Sequence, residues 1–453
     1  TRSGLHADAS GTAPNDQLVK NILPTGTAYG DSLTTLDFNG DGCGDLAIGV
    51  PVSVIPDAVG PAGVRPAAMG EPGYVAIFFG SPAGLVTSSQ EDVSASNAGV
   101  PPGVRDQFGF AVSGGDLNND GKDDLIVGAP GIAPSGAVFV FPGTAGSVSG
   151  HRFVPGDGVV PAGDGGPDSF GAALATGDFN GDGRADLAAG SPGFGSGSGI
   201  VDVMNGSGTS PFLTGGVSWS QDTPGVSGTS ESGDRFGAAL ATGDFRGDGH
   251  TGLAVGVPGE AIGTVAGAGQ VNVLYSIGSS GLTAAGNQGW NQNSSGISGT
   301  SEAFDHFGTS LAIGDFNGNG RDDLAVGVPG EGVVSPEGDG QVNVLMGSSG
   351  VGLTSAGQKA WNQNTSGISG TPEPGDQFGA ALTAIRVRSG SRADLVIGVA
   401  GEGLGTVARA GEIQLIPGSS AGLTATNSQT FSDNTTGLQG TATTGGRFGV
   451  SVA

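Results

Sequence analysis

Short runs of alternating apolar and polar residues, separated by glycine, serine and proline, recur along the chain. Residues 74–79 read YVAIFF and residues 270–275 read QVNVLY. A period of two residues is typical of β-strands, and the flanking turn residues bound each run. No long segment shows the 3.6-residue apolar spacing of an amphipathic helix. The pattern therefore predicts an all-β chain.

An aromatic residue followed by glycine opens each of a series of repeats. After each pair come a short apolar strand, an acidic loop, a second strand ending in a Gly-x-Pro turn in most repeats, a third strand, and a fourth strand that carries an aromatic residue. Four-stranded units repeated radially form a β-propeller, and the fourth-strand aromatic residues are expected to pack one unit on the next. The pairs begin at Tyr29, Phe108, Phe170, Phe236, Phe307, Phe378 and Phe448, and the fourth-strand aromatic residues are Phe153, Trp219, Trp290, Trp361 and Phe431.

The acidic loop between the first two strands alternates oxygen-bearing side chains with small residues. Counted from its first aspartate, it offers side-chain oxygens at positions 1, 3, 5 and 9 and a backbone carbonyl at position 7. Calcium takes roughly six to eight oxygen ligands, about 2.3–2.6 Å away. Four loops carry the full set and predict about four calcium sites: Asp37, Asn39, Asp41, Cys43 and Asp45; Asp116, Asn118, Asp120, Lys122 and Asp124; Asp178, Asn180, Asp182, Arg184 and Asp186; Asp315, Asn317, Asn319, Arg321 and Asp323. Cys43, Lys122, Arg184 and Arg321 would contribute only their backbone carbonyls.

Aspartate and asparagine also cap turns through their own backbone, which is the alternative interpretation of these loops. The same alternation in four loops favours calcium. The fourth loop has Arg246 and Gly252 in place of two donors, so weak or no metal binding is expected there, with Arg246 a candidate to replace the cation's charge. The sixth loop, with Arg386 and Arg388, is expected to bind none.

The formal net charge of −26 argues against nucleic acid as a partner, because binding to phosphates needs clustered Lys and Arg. Aspartates packed closely in loops repel one another unless a cation lies among them, so the acidity itself indicates a metal requirement. Cys43 is the single cysteine, and it is interpreted as a tolerated small residue rather than a reactive thiol. No apolar run is long enough to span a membrane as a helix.

The order Phe-Gly, then D-x-N-x-D-G-x-x-D-L, then Gly-x-Pro resembles the FG-GAP repeat of the integrin α-subunit propeller and its bacterial relatives. The resemblance covers residues 29–453 and implies a β-propeller, commonly of seven blades, with calcium in hairpin loops. Six repeats are complete and the one that opens at Phe448 is partial, so six blades are the alternative. Residues 1–28 are expected to be a leader that could add one edge strand.

The resemblance implies an extracellular, calcium-stabilised binding or adhesion scaffold, secreted or on a cell surface, whose partner is an unknown protein or glycan. A monomer is expected. No catalytic activity is expected, because the four histidines stand in no catalytic spacing and no hydrolase or nucleotide motif occurs. The alternatives are a lectin-like carbohydrate-binding module and the propeller part of a calcium-dependent secreted lyase or phospholipase.

Overall fold

The computed structural model describes residues 32–452, except 52–71, 87–89, 104, 146–147, 162, 334–337, 389, 437 and 439–440. The leader over residues 1–28 and the first aromatic-glycine pair at Tyr29 therefore lie outside the described residues. Within them the only helices are a four-residue α-helix, α1 (Phe194–Gly197), and two 3-10 helices, Ala95–Ala98 and Gly278–Ser280. The expectation of an all-β chain is confirmed.

The strands form six four-stranded sheets, and the fold class is a β-propeller of six blades. The described residues thus follow the six-blade alternative rather than the seven blades that the family resemblance favoured. The blades are β1 to β4 (Ser32–Leu36, Asp45–Val50, Tyr74–Phe78, Gln90–Val93), β5 to β8 (Ala111–Gly115, Asp124–Ala129, Ala137–Phe141, His151–Phe153), β9 to β12 (Ala173–Gly177, Asp186–Ser191, Ile200–Gly206, Leu213–Trp219), β13 to β16 (Ala239–Gly243, Gly252–Val257, Gln270–Ser276, Leu282–Trp290), β17 to β20 (Leu311–Gly314, Asp323–Val328, Gln341–Ser348, Gly352–Trp361), and β21 to β23 with β26 (Ala381–Ile385, Asp394–Val399, Glu412–Ile416, Gln429–Phe431).

In the sixth blade a short hairpin, β24 (Gly418–Ser419) with β25 (Gly422–Leu423), stands between the third and fourth strands. Neighbouring strands of the first, second, fourth, fifth and sixth blades pair antiparallel, as expected for strands joined by hairpin loops.

The chain divides into two compact units. Unit 1 comprises the described residues of Thr1–Thr176 together with Gly183–Gly195 and Val201–Ser218. Unit 2 comprises Gly177–Asp182, Ser196–Ile200 and the described residues of Trp219–Ala453. Unit 1 therefore contains the first two blades and most of the third, and unit 2 contains the last three.

The hydrophobic core lies between successive blades within each unit. The second strands are buried along almost their whole length, which explains their near-continuous apolar sequences. In unit 2, Trp361 of the fifth blade shares one core cluster with Phe378, which opens the next repeat. Phe153 and Phe170 do the same in unit 1. Trp290 packs against the cluster that holds Phe307. Three of the fourth-strand aromatic residues, Phe153, Trp290 and Trp361, therefore pack on the next blade, as predicted from their repetition.

In five of the Phe-Gly pairs, those at Phe108, Phe170, Phe307, Phe378 and Phe448, the glycine docks on a glycine of the preceding blade's second strand. A Cβ atom at Gly128 would lie 2.0 Å from the carbonyl oxygen of Gly171, and one at Gly327 would lie 2.1 Å from that of Gly379. The Phe-Gly glycines also have positive φ, 86° at Gly171 and 89° at Gly379. Both glycines are needed because two backbones meet there without room for a side chain. The terminal pair at Phe448 docks in the same way, since a Cβ atom at Gly398 would lie 1.9 Å from the carbonyl oxygen of Gly449.

Candidate functional site

Each acidic loop is wound by hydrogen bonds from its backbone to its own side chains. In the first loop the carboxylate of Asp37 accepts the N–H groups of Asp41 at 3.0 Å and Gly42 at 2.9 Å. Asn39 Oδ1 accepts the N–H of Asp41, and Asp41 Oδ1 accepts the N–H of Cys43, both at 2.8 Å. These turns hold the oxygen-bearing side chains at positions 1, 3 and 5 around one short stretch of backbone.

The same winding recurs in the other loops that carry the full donor set. In the second loop Asp116 accepts two N–H groups from later loop residues, and in the fifth loop Asp315 accepts three. In the third loop the N–H of Asp182 donates to both Asp178 Oδ1 and Asn180 Oδ1. The residues predicted from sequence spacing at positions 1, 3 and 5 are thus placed in equivalent turns.

The aspartate at position 9 has a structural role that its sequence position did not indicate. It is buried in five blades and accepts the N–H of a glycine at or just beyond the end of the third strand, at 2.7–2.9 Å. In three loops it also accepts the N–H of loop position 2, for example Phe38 to Asp45 at 2.9 Å. The position-9 aspartates are Asp45, Asp124, Asp186, Asp323 and Asp394, and their glycine partners are Gly80, Gly143, Gly206, Gly347 and Gly418.

Burial makes three of the position-9 carboxylates, those of Asp45, Asp124 and Asp323, costly to ionise. It raises the pKa of Asp124 and of Asp323 to about 7, and it also raises the pKa of Asp45. The backbone N–H groups that donate to these carboxylates oppose the shift. Neighbouring loop carboxylates such as Asp116 and Asp315 raise it further. A bound cation would remove this penalty, because it favours the charged form of every carboxylate around it.

The donor chemistry of the loops fits a hard cation. All side-chain donors are carboxylate or carboxamide oxygens, which is the ligand type that calcium prefers. In the second loop Asn118 Oδ1 is buried without a hydrogen-bond partner, so a ligand oxygen is already withdrawn from water. In the described parts of the chain, however, no three His, Cys, Asp or Glu side chains are gathered closely enough to hold an ion outright. Binding would therefore have to draw the loop carboxylates inward from their backbone partners.

Cys43 occupies position 7 of the first loop and is partly exposed. Desolvation, followed by the nearby carboxylate of Asp41, raises the pKa of its thiol. A raised pKa disfavours the thiolate, which is the nucleophilic form of cysteine.

The fourth loop retains the turns but lacks the position-9 carboxylate. Asp244 still accepts the N–H groups of Asp248 and Gly249. The guanidinium of Arg246, at position 3, lies 4.0 Å from the centre of the Tyr275 ring, a cation–π contact.

In the sixth loop the side chain at position 3 pairs with the one at position 9. The guanidinium of Arg388 lies 3.3 Å from Asp394 Oδ1. In this blade the position-9 carboxylate therefore has an arginine beside it. Both degenerate loops therefore carry an arginine at position 3, and only the sixth uses it as an ion-pair partner of the position-9 aspartate.

Neighbouring loops are joined by an aspartate that the sequence reasoning missed. Asp123 precedes the position-9 aspartate of the second loop, and its Oδ2 accepts the N–H of Asp37 in the first loop at 2.8 Å. Asp322 makes the same bond to Asp244 at 2.8 Å. The doubled aspartates in the second and fifth loops were the available signal, since the other full loops have Gly44 or Ala185 at this place.

A groove of about 320 Å³ lies elsewhere in unit 2. Phe304 lines it and is 64% exposed, with its ring centre 6.0 Å from that of His306. Phe304 has a φ of +67°, and the equivalent residues of the adjacent repeats are Gly233 and Gly375, which also have positive φ. A bulky residue in this conformation is strained and uncommon. The substitution of phenylalanine for glycine in one repeat was the sequence signal.

Comparison with known proteins connects these repeats to a family. The FG-GAP repeat matches residues 29–64, 108–141, 170–204 and 307–345. These are the first, second, third and fifth repeats, the four whose acidic loops carry the full donor set.

Curated relatives share part of the chain. Integrin alpha-PS5 of Drosophila melanogaster is 33% identical over 174 residues, covering 37% of this chain and 15% of that protein. Phosphatidylinositol-glycan-specific phospholipase D of Bos taurus is 32% identical over 176 residues, covering 37% of this chain and 19% of the relative. The chain thus spans less than a fifth of the length of either relative.

A solved structure, the exotype rhamnogalacturonan lyase YesX, covers 83% of this chain and 64% of its own, at 12% identity and a TM-score of 0.36. No helix in the described residues is both long and apolar enough to cross a membrane. The Phe-Gly docking, the four matched repeats and the integrin relatives lead to one conclusion: this chain is a β-propeller that carries four FG-GAP repeats and resembles the integrin α subunits.

Proposed function

We propose that the four full acidic loops bind calcium and that the chain is a calcium-stabilised scaffold for binding a partner outside the cell. The observation that carries the proposal is the coincidence between loop and repeat: the same oxygen donors recur in four blades. The two blades that lose donors have an arginine at loop position 3. Extracellular calcium modules typically bind at roughly 10⁻⁴–10⁻³ M, a range that suits an extracellular location.

Isothermal titration with calcium tests the metal sites directly. The matched variant replaces the exposed position-5 donors, Asp41→Ala, Asp120→Ala, Asp182→Ala and Asn319→Ala together, and leaves the buried position-9 aspartates in place. Wild type is expected to bind calcium at these loops and the variant to lose that binding. Equal calcium uptake by both proteins would refute the assignment.

The groove beside Phe304 is the proposed place for a ligand. An exposed aromatic ring, a neighbouring imidazole and the carboxamide of Gln377 together offer a stacking face and hydrogen-bonding groups. This composition favours a carbohydrate over an extended peptide, so lectin-like binding is the second candidate function. The strain at Phe304 supports a binding role, since strained residues cluster at functional sites.

A glycan array, repeated with Phe304→Gly, tests the groove. Glycine suits the local φ, so the variant is expected to fold at least as stably as wild type while losing glycan binding. Phe110→Ala serves as the control, because Phe110 is another exposed phenylalanine, 39% exposed. A glycan signal that survives Phe304→Gly would exclude the groove as its source.

The propeller part of a larger secreted enzyme is a further candidate function, favoured by the phospholipase D relatives. In that arrangement this chain would position a substrate or a partner and would itself be non-catalytic. The histidines support this division of roles, since His306 Nδ1 donates to the carbonyl oxygen of Pro258 at 2.9 Å and His151 is paired with Ser210.

A further inference from the structure

A second repeated set of polar side chains lies at the opposite ends of the strands from the acidic loops. It forms where the fourth strand of one blade ends, the first strand of the next begins and the second strand ends, whereas the acidic loops join the other ends of the first two strands. The spacing between its members is identical in three consecutive repeats. We name these sets amide–carboxylate clusters A (Gln221, Glu231, Asp234, Glu260), B (Gln292, Glu302, Asp305, Glu331) and C (Gln363, Glu373, Asp376, Glu402).

The glutamine amide in each cluster contacts the last glutamate. In cluster A, Gln221 Nε2 donates to Glu260 Oε2 at 2.6 Å, and in cluster C, Gln363 Nε2 donates to Glu402 Oε2 at 2.5 Å. Gln292 and Glu331 are paired in the same way in cluster B. The three amides therefore lie within their clusters rather than beside them.

The aspartate in each cluster closes the turn that precedes the Phe-Gly pair. Asp234 Oδ2 accepts the N–H of Glu231 at 2.5 Å, and Asp376 Oδ2 accepts that of Glu373 at 2.7 Å. The buried aspartate and the exposed first glutamate are thereby held on one short turn.

Glycine brings the second-strand glutamate against this turn. A Cβ at Gly259, just before Glu260, would lie 1.9 Å from the carbonyl oxygen of Gly233, just before Asp234. Gly330 and Gly401 make equally close approaches in clusters B and C. The Gly-Glu pair shared by the three clusters thus has a geometric reason, since only glycine permits the approach.

The amide oxygen of every cluster glutamine is buried and has no hydrogen-bond partner. Gln221, Gln292 and Gln363 are 3%, 2% and 4% exposed, and the Oε1 atom of each is unsatisfied. One such atom would be an exception to the rule that buried polar groups are paired. Three at equivalent positions indicate a ligand for this oxygen.

The clusters carry concentrated negative charge without a fixed counter-charge. In the part of the chain that the structure describes, no lysine or arginine is ion-paired with a cluster carboxylate; His306 lies near Asp305 of cluster B, and a further buried glutamate, Glu412, lies near cluster C. Burial raises the pKa of Glu260 and of Glu331 to about 7 and that of Glu402 to about 8. Such groups need a proton or a cation to be stable at neutral pH.

We propose that each amide–carboxylate cluster binds one hard divalent cation of the calcium class through the glutamine amide oxygen and the buried glutamate and aspartate carboxylates. Rotating the amide by half a turn directs Oε1 to the side where Nε2 now meets the glutamate. The cation draws in the aspartate, and the exposed glutamate stands at the solvent side. These sites are independent of the acidic loops.

Terbium luminescence tests the proposal, because Tb³⁺ takes calcium-type oxygen sites and emits when a nearby tryptophan is excited. The three tryptophans, Trp219, Trp290 and Trp361, each lie two positions before a cluster glutamine. Tryptophan-sensitised emission is expected in wild type, is expected to be displaced by excess calcium, and is expected to persist in the four-loop variant described above. It is expected to vanish in the isosteric triple variant Glu260→Gln, Glu331→Gln and Glu402→Gln.

Each outcome decides the assignment. The assignment would be overturned if wild type gave no sensitised emission at pH 8 or if the emission were unchanged in the triple variant. The buried glutamates would then be stabilised by a proton and not by a cation. If the triple variant does not fold by circular dichroism, each single substitution is expected to remove the share of emission that belongs to its own cluster. Failure of the loop sites would instead appear as a loss confined to the calcium titration.

Discussion

At the scale of single residues, Asp202 shows how one carboxylate can limit stability at neutral pH. It is 1% exposed, and Ser218 Oγ donates to its Oδ1 at 2.5 Å. Burial raises its pKa from 3.8 to about 6, and the nearby Asp168 carboxylate adds to the shift. The equivalent residues of the next two blades are Asn272 and Asn343, which fill the same place without charge.

We expect Asp202→Asn to stabilise the protein at pH 8 and to have little effect at pH 4. A carboxylate whose pKa is raised on folding contributes stability below its unfolded pKa, and that contribution is lost as pH rises through about 6. The gain at pH 8 should be on the order of 2–3 kcal/mol. Denaturant unfolding at both pH values measures it, with Asp92→Asn, an exposed residue of equal charge, as the control. An equal effect of Asp202→Asn at pH 4 and pH 8 would disprove the electrostatic explanation.

At Asp394 the structural role of the position-9 aspartate can be measured apart from any role in metal binding. The sixth loop lacks the other donors, yet Asp394 accepts the N–H of Gly418 at 2.9 Å and contacts Arg388. Asp394→Ala is expected to lower the free energy of unfolding by about 1–3 kcal/mol, because it leaves a buried N–H unpaired. Asp394→Asn keeps an acceptor and should cost less. The loss should be the same in calcium and in EDTA; a loss seen only in calcium would assign Asp394 to a metal site.

At the scale of elements, the sequence predicted what is local. The Asx turns at Asp37, Asn39 and Asp41 follow from spacing alone, because donor and acceptor lie within one loop. The strands and the four-strand repeat follow from alternation and from turn residues. Two hydrogen bonds could not be predicted from the sequence: the one from the N–H of Gly80 to Asp45 and the one from the N–H of Asp37 to Asp123. In each, the two partners lie on different strands or in different repeats.

The amide–carboxylate clusters escaped prediction for the same reason. Their spacing is regular in the sequence, but Gln363 and Glu402 belong to consecutive repeats and meet only through blade packing. The blade number was also open, since sequence periodicity counts aromatic-glycine pairs and not completed sheets. Within the described residues six sheets have four strands each, and the last pair, at Phe448, packs on the sixth of them.

The docking of the second strand on the next Phe-Gly pair gives an element-scale prediction. Gly327→Ala would place a Cβ 2.1 Å from the carbonyl oxygen of Gly379, so the fifth and sixth blades would have to separate. We expect a loss of stability well above the roughly 1 kcal/mol typical of alanine at a positive-φ glycine. Gly320→Ala is the matched control, since its φ is +77° but open space surrounds its Cβ. Thermal unfolding measures both, and equal losses would contradict the docking account.

At the scale of the whole molecule, the net charge of −26 opposes compaction unless cations are bound. Much of that charge lies in the acidic loops and the amide–carboxylate clusters, at opposite ends of the strands. The folded chain is therefore expected to depend on cations for its stability, in proportion to the free energy of binding at each site. The ions would stabilise the shape of the partner-binding surfaces and would not themselves contact the partner.

The most direct measurement is the melting temperature in calcium and in EDTA, for wild type and for the variant with Asp41→Ala, Asp120→Ala, Asp182→Ala and Asn319→Ala. Calcium is expected to raise the melting temperature of wild type, because it binds the folded loops and not the unfolded chain. The shift should be smaller in the variant, which keeps the amide–carboxylate clusters but not the loop sites. A wild-type melting curve that EDTA leaves unmoved would contradict the central claim that calcium stabilises this propeller.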